Sequence, residues 1–180
     1  MDVHVSDQAD GRLEESGGQW QIRFARRLAH PQHKVWRALT EPEHRDAWFP
    51  QRIVGGWAVG ALLTFESRNG EFPSFDGEVL ACDPPSLLEF RWGSDVIRFE
   101  ITPDHGGCTF VLTDTFAELG KAARDAAGWH VCLDFLEQHL QGAAPPWSSG
   151  EHWAQVHPDY VEKFGPDAAT MGPPEGRGTS

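Results

Sequence analysis

The chain has 180 residues, 39% of them hydrophobic and 11% aromatic, enough for one packed domain with a short surplus at its ends. Its formal net charge of −12 argues against nucleic acid and anionic membrane surfaces as partners, because both would be repelled. No stretch reaches about 18 uninterrupted apolar residues, and Met1-Asp2 begins neither a basic nor an apolar signal region, so a soluble, cytoplasmic protein is expected.

Residues 1–18 carry five acidic side chains and little apolar content, and read as a mobile leader. "WQIRFARRLAH" (20–30) is strand-like, with Ile22 and Phe24 alternating with Arg23. "PQHKVWRALT" (31–40) opens with Pro31, which suits a first helical turn, and "EPEHRDAWF" (41–49) reads as a second short helix with Pro42 near its start. Glycines at 55, 56 and 60 precede a strand over 61–66.

The clearest strands follow. "FDGEVLACD" (75–83) is closed by Pro84-Pro85. In "LLEFRW" (87–92), Leu88, Phe90 and Trp92 fall on one side and Glu89 and Arg91 on the other. Gly93-Ser94 allows a tight reversal into 95–101, where Ile97 and Phe99 oppose Arg98 and Glu100; residues 104–107 turn the chain again into 108–116. This is an antiparallel sheet with one dry face, and the only long helix, about 121–141, is its cover.

That helix contains "AGWHVCLDFLEQHL" (127–140), which places Cys132 between His130 and Asp134. At about 100° per residue, Trp129, Leu133, Leu136 and Leu140 form one stripe, whereas His130, Asp134 and Glu137 share a polar face. Cys132 points nearly opposite His130, so this one helix cannot assemble a Cys-His-Asp cluster. The three cysteines, Cys82, Cys108 and Cys132, read as small buried hydrophobes. Val131 and Phe135 form a second apolar patch on the helix's back. Residues 143–164, with Trp147, Trp153 and "HPDYVEKF" (157–164), are an appendage expected to cover that patch or to join a partner subunit in a homodimer. Residues 165–180, rich in Gly and Pro, read as a disordered tail.

Neither G-x-S-x-G, a P-loop nor G-x-G-x-x-G occurs. "HPQH" (30–33) and "HWAQVH" (152–157) have ligand-like spacing, but no Cys pair or carboxylate cluster stands beside them at metal-site spacing. No metal and no cofactor are expected.

The order strand, two short helices, antiparallel meander and long final helix resembles the α+β helix-grip fold of the START-like (SRPBCC) superfamily. The stretches "VWRALTEPEHRDAWF" (35–49), "VGG" (54–56), "GEVLACDPPSLLEFRW" (77–92), "GCTFVLTDTF" (107–116) and "GWHVCLDFLEQHL" (128–140) resemble bacterial homologues of the activator of the 90-kDa heat-shock-protein ATPase. The resemblance covers about residues 22–141 of a domain spanning 19–142 and implies a curved sheet gripping the long helix around an elongated apolar cavity. In related superfamilies that cavity binds hydrophobic small molecules.

Strand parity then names the candidate wall: Phe65, Leu88, Phe90, Trp92, Ile97, Phe99, Phe110, Leu112, Trp129, Leu133 and Leu136, with Gly128 giving Trp129 room to enter. Asp114 shares the inward parity of Leu112 and Phe116. It is read in one of two ways, as a buried carboxylate at a site or, preferred here, as a solvated residue at the strand's end. The leading expectation is a non-enzymatic module that binds an apolar small molecule. The alternatives are a regulator of a chaperone ATPase and a cyclase- or dehydratase-type enzyme using a buried acid, Asp114 first and Glu78 next.

Overall fold

In the computed structural model, which describes residues 9–70 and 72–172, eight strands pair throughout in antiparallel fashion. They are β1 (Arg12–Ser16), β2 (Gln19–Leu28), β3 (Arg52–Val54), β4 (Leu62–Glu66), β5 (Phe75–Asp83), β6 (Leu87–Trp92), β7 (Asp95–Asp104) and β8 (Gly107–Phe116). Their order across the curved sheet is β1-β2-β8-β7-β6-β5-β4-β3, so the first long strand pairs with the last. The Gly93-Ser94 reversal joins β6 to β7 across the pair Trp92 and Asp95. The next hairpin turns on His105 and Gly106, whose positive φ values of 47° and 83° match the right-handed twist of the flanking strands.

Four α-helices stand among the described residues: α1 (Gln32–Thr40), α2 (Pro42–Arg45), α3 (Ala122–Leu140) and α4 (Ser149–Phe164). No helix among the described residues is long and apolar enough to cross a membrane. The stripe Trp129, Leu133, Leu136 and Leu140 of α3 is buried, together with the inward residues of β2, β6, β7 and β8. Burying each such side chain contributes about 1.5–3 kcal/mol.

Two end segments differ from expectation. Arg12–Ser16, expected within a mobile leader, is the edge strand β1; residues 1–8 lie outside the described residues. Its side chains are mostly exposed, so no apolar alternation marked it as a strand. Pro166–Ala168, assigned to a disordered tail, forms a 3-10 turn with Ala168 buried; residues 173–180 are outside the described residues.

The appendage is a helix of this same chain. α4 packs along the back of α3, burying Trp153, Val156 and Tyr160 together with Val131. Trp147 stacks against Phe135 with centroids 6.0 Å apart. The back of α3 is thus covered within one chain. The polar face of α3 is also covered, since His130 is buried between α4 and β2. There Arg26 of β2 bonds Asp10 (2.8 Å), Asp134 (2.6 Å) and Glu137 (2.8 Å).

Candidate functional site

The open volume lies at one end of the gripped helix. A cleft of about 710 Å³ is bounded by the first half of α3, the β6–β7 reversal, the segment from Ser67 into β5, and the start of α4. Volumes of this order hold drug-sized molecules. Its aromatic wall is Phe72, Phe75, Trp92 and Trp129. The two indoles meet at 5.2 Å, and Phe75 stands edge-on to Trp92 at 5.7 Å. Trp92 is fixed by the bond from its Nε1–H to Gln51 Oε1, 3.1 Å.

Of the expected wall, only Trp92 and Trp129 line this cleft. Phe65, Leu88, Phe90, Ile97, Phe99, Phe110, Leu112, Leu133 and Leu136 are buried in the core. Their rings interlock: Phe65 stacks on Phe90 at 5.7 Å, Phe90 meets Phe99 at 5.8 Å, and Phe99 meets Phe110 at 5.6 Å. The aromatic face that could have walled a long cavity under α3 packs on itself instead. Phe49, from the segment after α2, wedges between Phe65, Phe90 and Trp129.

Asp114 is not solvated at a strand end. β8 continues to Phe116, and Asp114 is fully buried. Its Oδ2 accepts the Trp129 indole N–H at 2.9 Å, while its Oδ1 has no donor. Asp95, 2% exposed, adjoins it and likewise leaves Oδ2 without a donor. The two unpartnered oxygens therefore belong to adjoining buried acids. Burial first, and then the neighbouring Asp95, push the Asp114 carboxyl well above the usual range.

Asp95 is also the anchor of a charged chain along the cleft. Its Oδ1 accepts from Lys121 Nζ at 2.6 Å. Lys121 reaches Asp125 at 3.6 Å, and Asp125 pairs with Arg124 at 2.8 Å. Burial disfavours the Lys121 ammonium, but the bond to Asp95 and the charge of Asp125 outweigh it and raise its pKa. Burial also raises the Asp125 carboxyl, against the pull of Arg124. Arg68 adds a further cation, with its guanidinium bonded to the Phe49 carbonyl. By formal charge the cleft is lined by Arg68, Lys121 and Arg124 against Asp95 and Asp125, a surplus of one positive charge in a chain of net −12.

Asp95, Lys121 and Asp125 are not among the expected site residues, yet each carries a signal in the sequence. Asp95 has the inward parity of Ile97 and Phe99, and Lys121, just before α3, recurs at four-residue spacing with Asp125 and Trp129 on one face of that helix. Glu78, the second acid considered, is half-exposed and pairs in register with Leu62 of the neighbouring strand. Cys132 lines the cleft whereas His130 and Asp134 turn toward α4, so the three do not converge.

Residues 29–141 match the family described as activator of Hsp90 ATPase homolog 1-like protein. No curated protein sequence matches the chain. Among solved structures it is similar to EF2215, a conserved protein of unknown function from Enterococcus faecalis, with TM-score 0.74 and 20% identity over 89% of this chain and 94% of that one. It is similar to CalU16 from Micromonospora echinospora, with TM-score 0.65 and 19% identity over 86% and 95% of the two chains. A protein encoded by gene BPP1335 from Bordetella parapertussis gives TM-score 0.64 and 26% identity over 91% and 95%.

Proposed function

The chain belongs to the activator of Hsp90 ATPase homolog 1-like family, and from that premise we propose that it binds a small molecule with an apolar, ring-bearing body in the cleft beside Trp92 and Trp129. The observation that carries this reading is the aromatic wall of a cleft of about 710 Å³ that also presents charged groups at its rim. Stacking on Trp92, Trp129 and Phe75 supplies the apolar contact. The surplus positive charge among Arg68, Lys121, Arg124, Asp95 and Asp125 favours a neutral or singly anionic ligand over a cation or a polyanion.

Anilinonaphthalene sulfonate, an aromatic monoanion, is a direct probe. One saturable site is expected, and Trp92→Ala should weaken it about tenfold or more through loss of an aromatic contact. Trp92 is half-buried at the rim, so its removal leaves the core rings in place. Absence of saturable binding, or equal binding by the variant, would refute the reading.

A second reading, proton transfer to a bound ligand, is favoured by the acid pair. Asp95 faces the cleft and Asp114 lies behind it, so a proton on the buried Asp114 carboxyl is placed to pass by way of Asp95 to a basic or leaving-group oxygen held there. Asp114→Asn would retain probe binding and abolish any conversion of a captured ligand, read by mass spectrometry. Conversion that survives the substitution would remove this reading.

A further inference from the structure

Away from the cleft, the buried polar cluster between α3, α4 and β2 holds an arrangement that structural packing alone does not require. His130 and Asp134 stand one helical turn apart on α3, and α4 brings His152 against them. One donor atom from each residue lies within 4.8 Å of the others. The converging atoms are His130 Nε2, His152 Nε2 and Asp134 Oδ2: Asp134 Oδ2 lies 3.3 Å from the first and 2.6 Å from the second. We propose that His130, Asp134 and His152 form a binding site for a first-row divalent cation, with zinc the ion that the donor set suits best.

Two imidazole nitrogens and one carboxylate oxygen are a common three-ligand set for zinc, with a water in the fourth position. Ligands on a tetrahedral ion with bonds of about 2.0–2.1 Å stand roughly 3.3 Å apart. The His130–Asp134 contact has that spacing. The shorter His152–Asp134 contact is a hydrogen bond carried by a proton on Nε2, and a cation takes that proton's place. Binding therefore selects the other neutral tautomer: the proton sits on Nδ1, where it donates to Gln155 Oε1, and the Nε2 lone pair faces the metal.

The outer atoms of the three ligands are themselves held, as metal-binding histidines and carboxylates require. His130 Nδ1 faces Tyr160 Oη at 2.7 Å and Asp10 Oδ1 at 3.3 Å. His152 Nδ1 faces Gln155 Oε1 at 3.1 Å. Asp134 keeps Oδ2 for the ion because its Oδ1 is bonded to Arg26 at 2.6 Å. Asp10 is set in place by Gly11, whose N–H donates to Tyr160 Oη and where a Cβ would come within 2.7 Å of the Phe24 ring.

Charge points the same way. Asp10, Asp134 and Glu137 surround the single guanidinium of Arg26, which leaves two negative charges when both imidazoles are neutral. One divalent ion balances them. The Trp147 indole lies flat on His152 at 3.8 Å and shields that side. Asp134, with 21% of its side chain exposed, leaves an entry.

The test uses tag-free full-length protein stripped with a chelator and titrated with cobalt(II), then zinc. The expected result is one equivalent of cobalt with the intense visible bands of a tetrahedral site, displaced by zinc. His152→Gln should weaken binding about 100-fold or more, since even the partners behind metal ligands are worth 10–100-fold. Asp10→Asn, which weakens the support that Asp10 gives to His130 and to Arg26 without removing a ligand, should weaken it about tenfold. His139→Gln should change nothing, although His139 forms the other close histidine pair, with His44 at 3.0 Å. Zinc should raise the melting temperature of the parent and not of His152→Gln, and circular dichroism without metal confirms that this variant is folded. No tetrahedral spectrum, equal binding by His152→Gln, or loss of binding in His139→Gln would each overturn the proposal. Should His152→Gln fail to fold, the decision passes to Asp10→Asn, and unchanged cobalt affinity there would overturn it.

Discussion

Asp114 and Asp134 sit against opposite sides of the same helix, at the cleft and under α4, and they hold their protons differently. Asp114 faces another acid, so burial and Asp95 together drive it toward the neutral form. Burial also works against the charged form of Asp134, but His130 and Arg26 outweigh it and hold that carboxyl well below the usual range. The neighbours, more than depth, decide the sign. Asp114, Asp95 and Lys121 adjoin an open cleft, whereas Asp134 is enclosed by Arg26, His130 and His152.

The sharpest way to break this comparison is Arg26→Met. It leaves Asp10, Asp134 and Glu137 without their guanidinium, and a loss of about 3–5 kcal/mol is expected in urea unfolding. A loss below about 1 kcal/mol would mean that the cluster is solvated. On the other side of α3, Trp129→Phe removes the one indole donor to Asp114 and should cost about 1–3 kcal/mol.

Asp114→Asn sharpens the contrast through pH. The folded pKa of Asp114 lies above its unfolded value, so its contribution is complete below about pH 4 and declines as pH rises through the folded value. Asparagine has no proton to lose and can still donate to Asp95 and accept from Trp129. The variant should therefore gain stability relative to the parent as pH rises from 4 toward 8. Thermal melts from pH 4 to pH 8 check this, and a gap that widens toward acid would show Asp114 to be charged. The smallest effect is expected at Ser148, whose Oγ accepts the Glu151 N–H at 3.2 Å and starts the helix shared by both regions. Ser148→Ala should cost about 1 kcal/mol, with faster hydrogen exchange confined to the first turns of α4.

The sheet was legible because its two faces differ. Leu88, Phe90, Ile97 and Phe99 alternate with charged residues, and a one-residue slip would turn them all to solvent. β7 runs to Asp104 rather than ending near Ile101, since a strand beside a tight turn needs no apolar signal at Pro103 and Asp104. α4 was harder to see, because Gly150 and Pro158 interrupt its pattern. Its Ser148-x-x-Glu151 start was nevertheless a visible capping signature. The face of α3 that bears His130 was read correctly as polar, but its cover depends on α4 and Arg26, which no periodicity within α3 reveals. For Asp114 the inward parity was legible. What settled it was Asp95 on the next strand, and a parity reading of single strands does not register neighbours across the sheet. Filling of the space under α3 depends on Phe49, from a segment with no alternation to place it.

The most direct test of ligand binding at the cleft is the set of indole N–H signals in nitrogen-15 NMR, since the eight tryptophans are spread over the whole fold. On addition of anilinonaphthalene sulfonate, the signals of Trp92 and Trp129 should shift together and saturate at one equivalent. That of Trp48, buried elsewhere with its N–H on the Ala38 carbonyl, should stay in place. Shifts centred on Trp48, or none at Trp92 and Trp129, would contradict binding at the cleft.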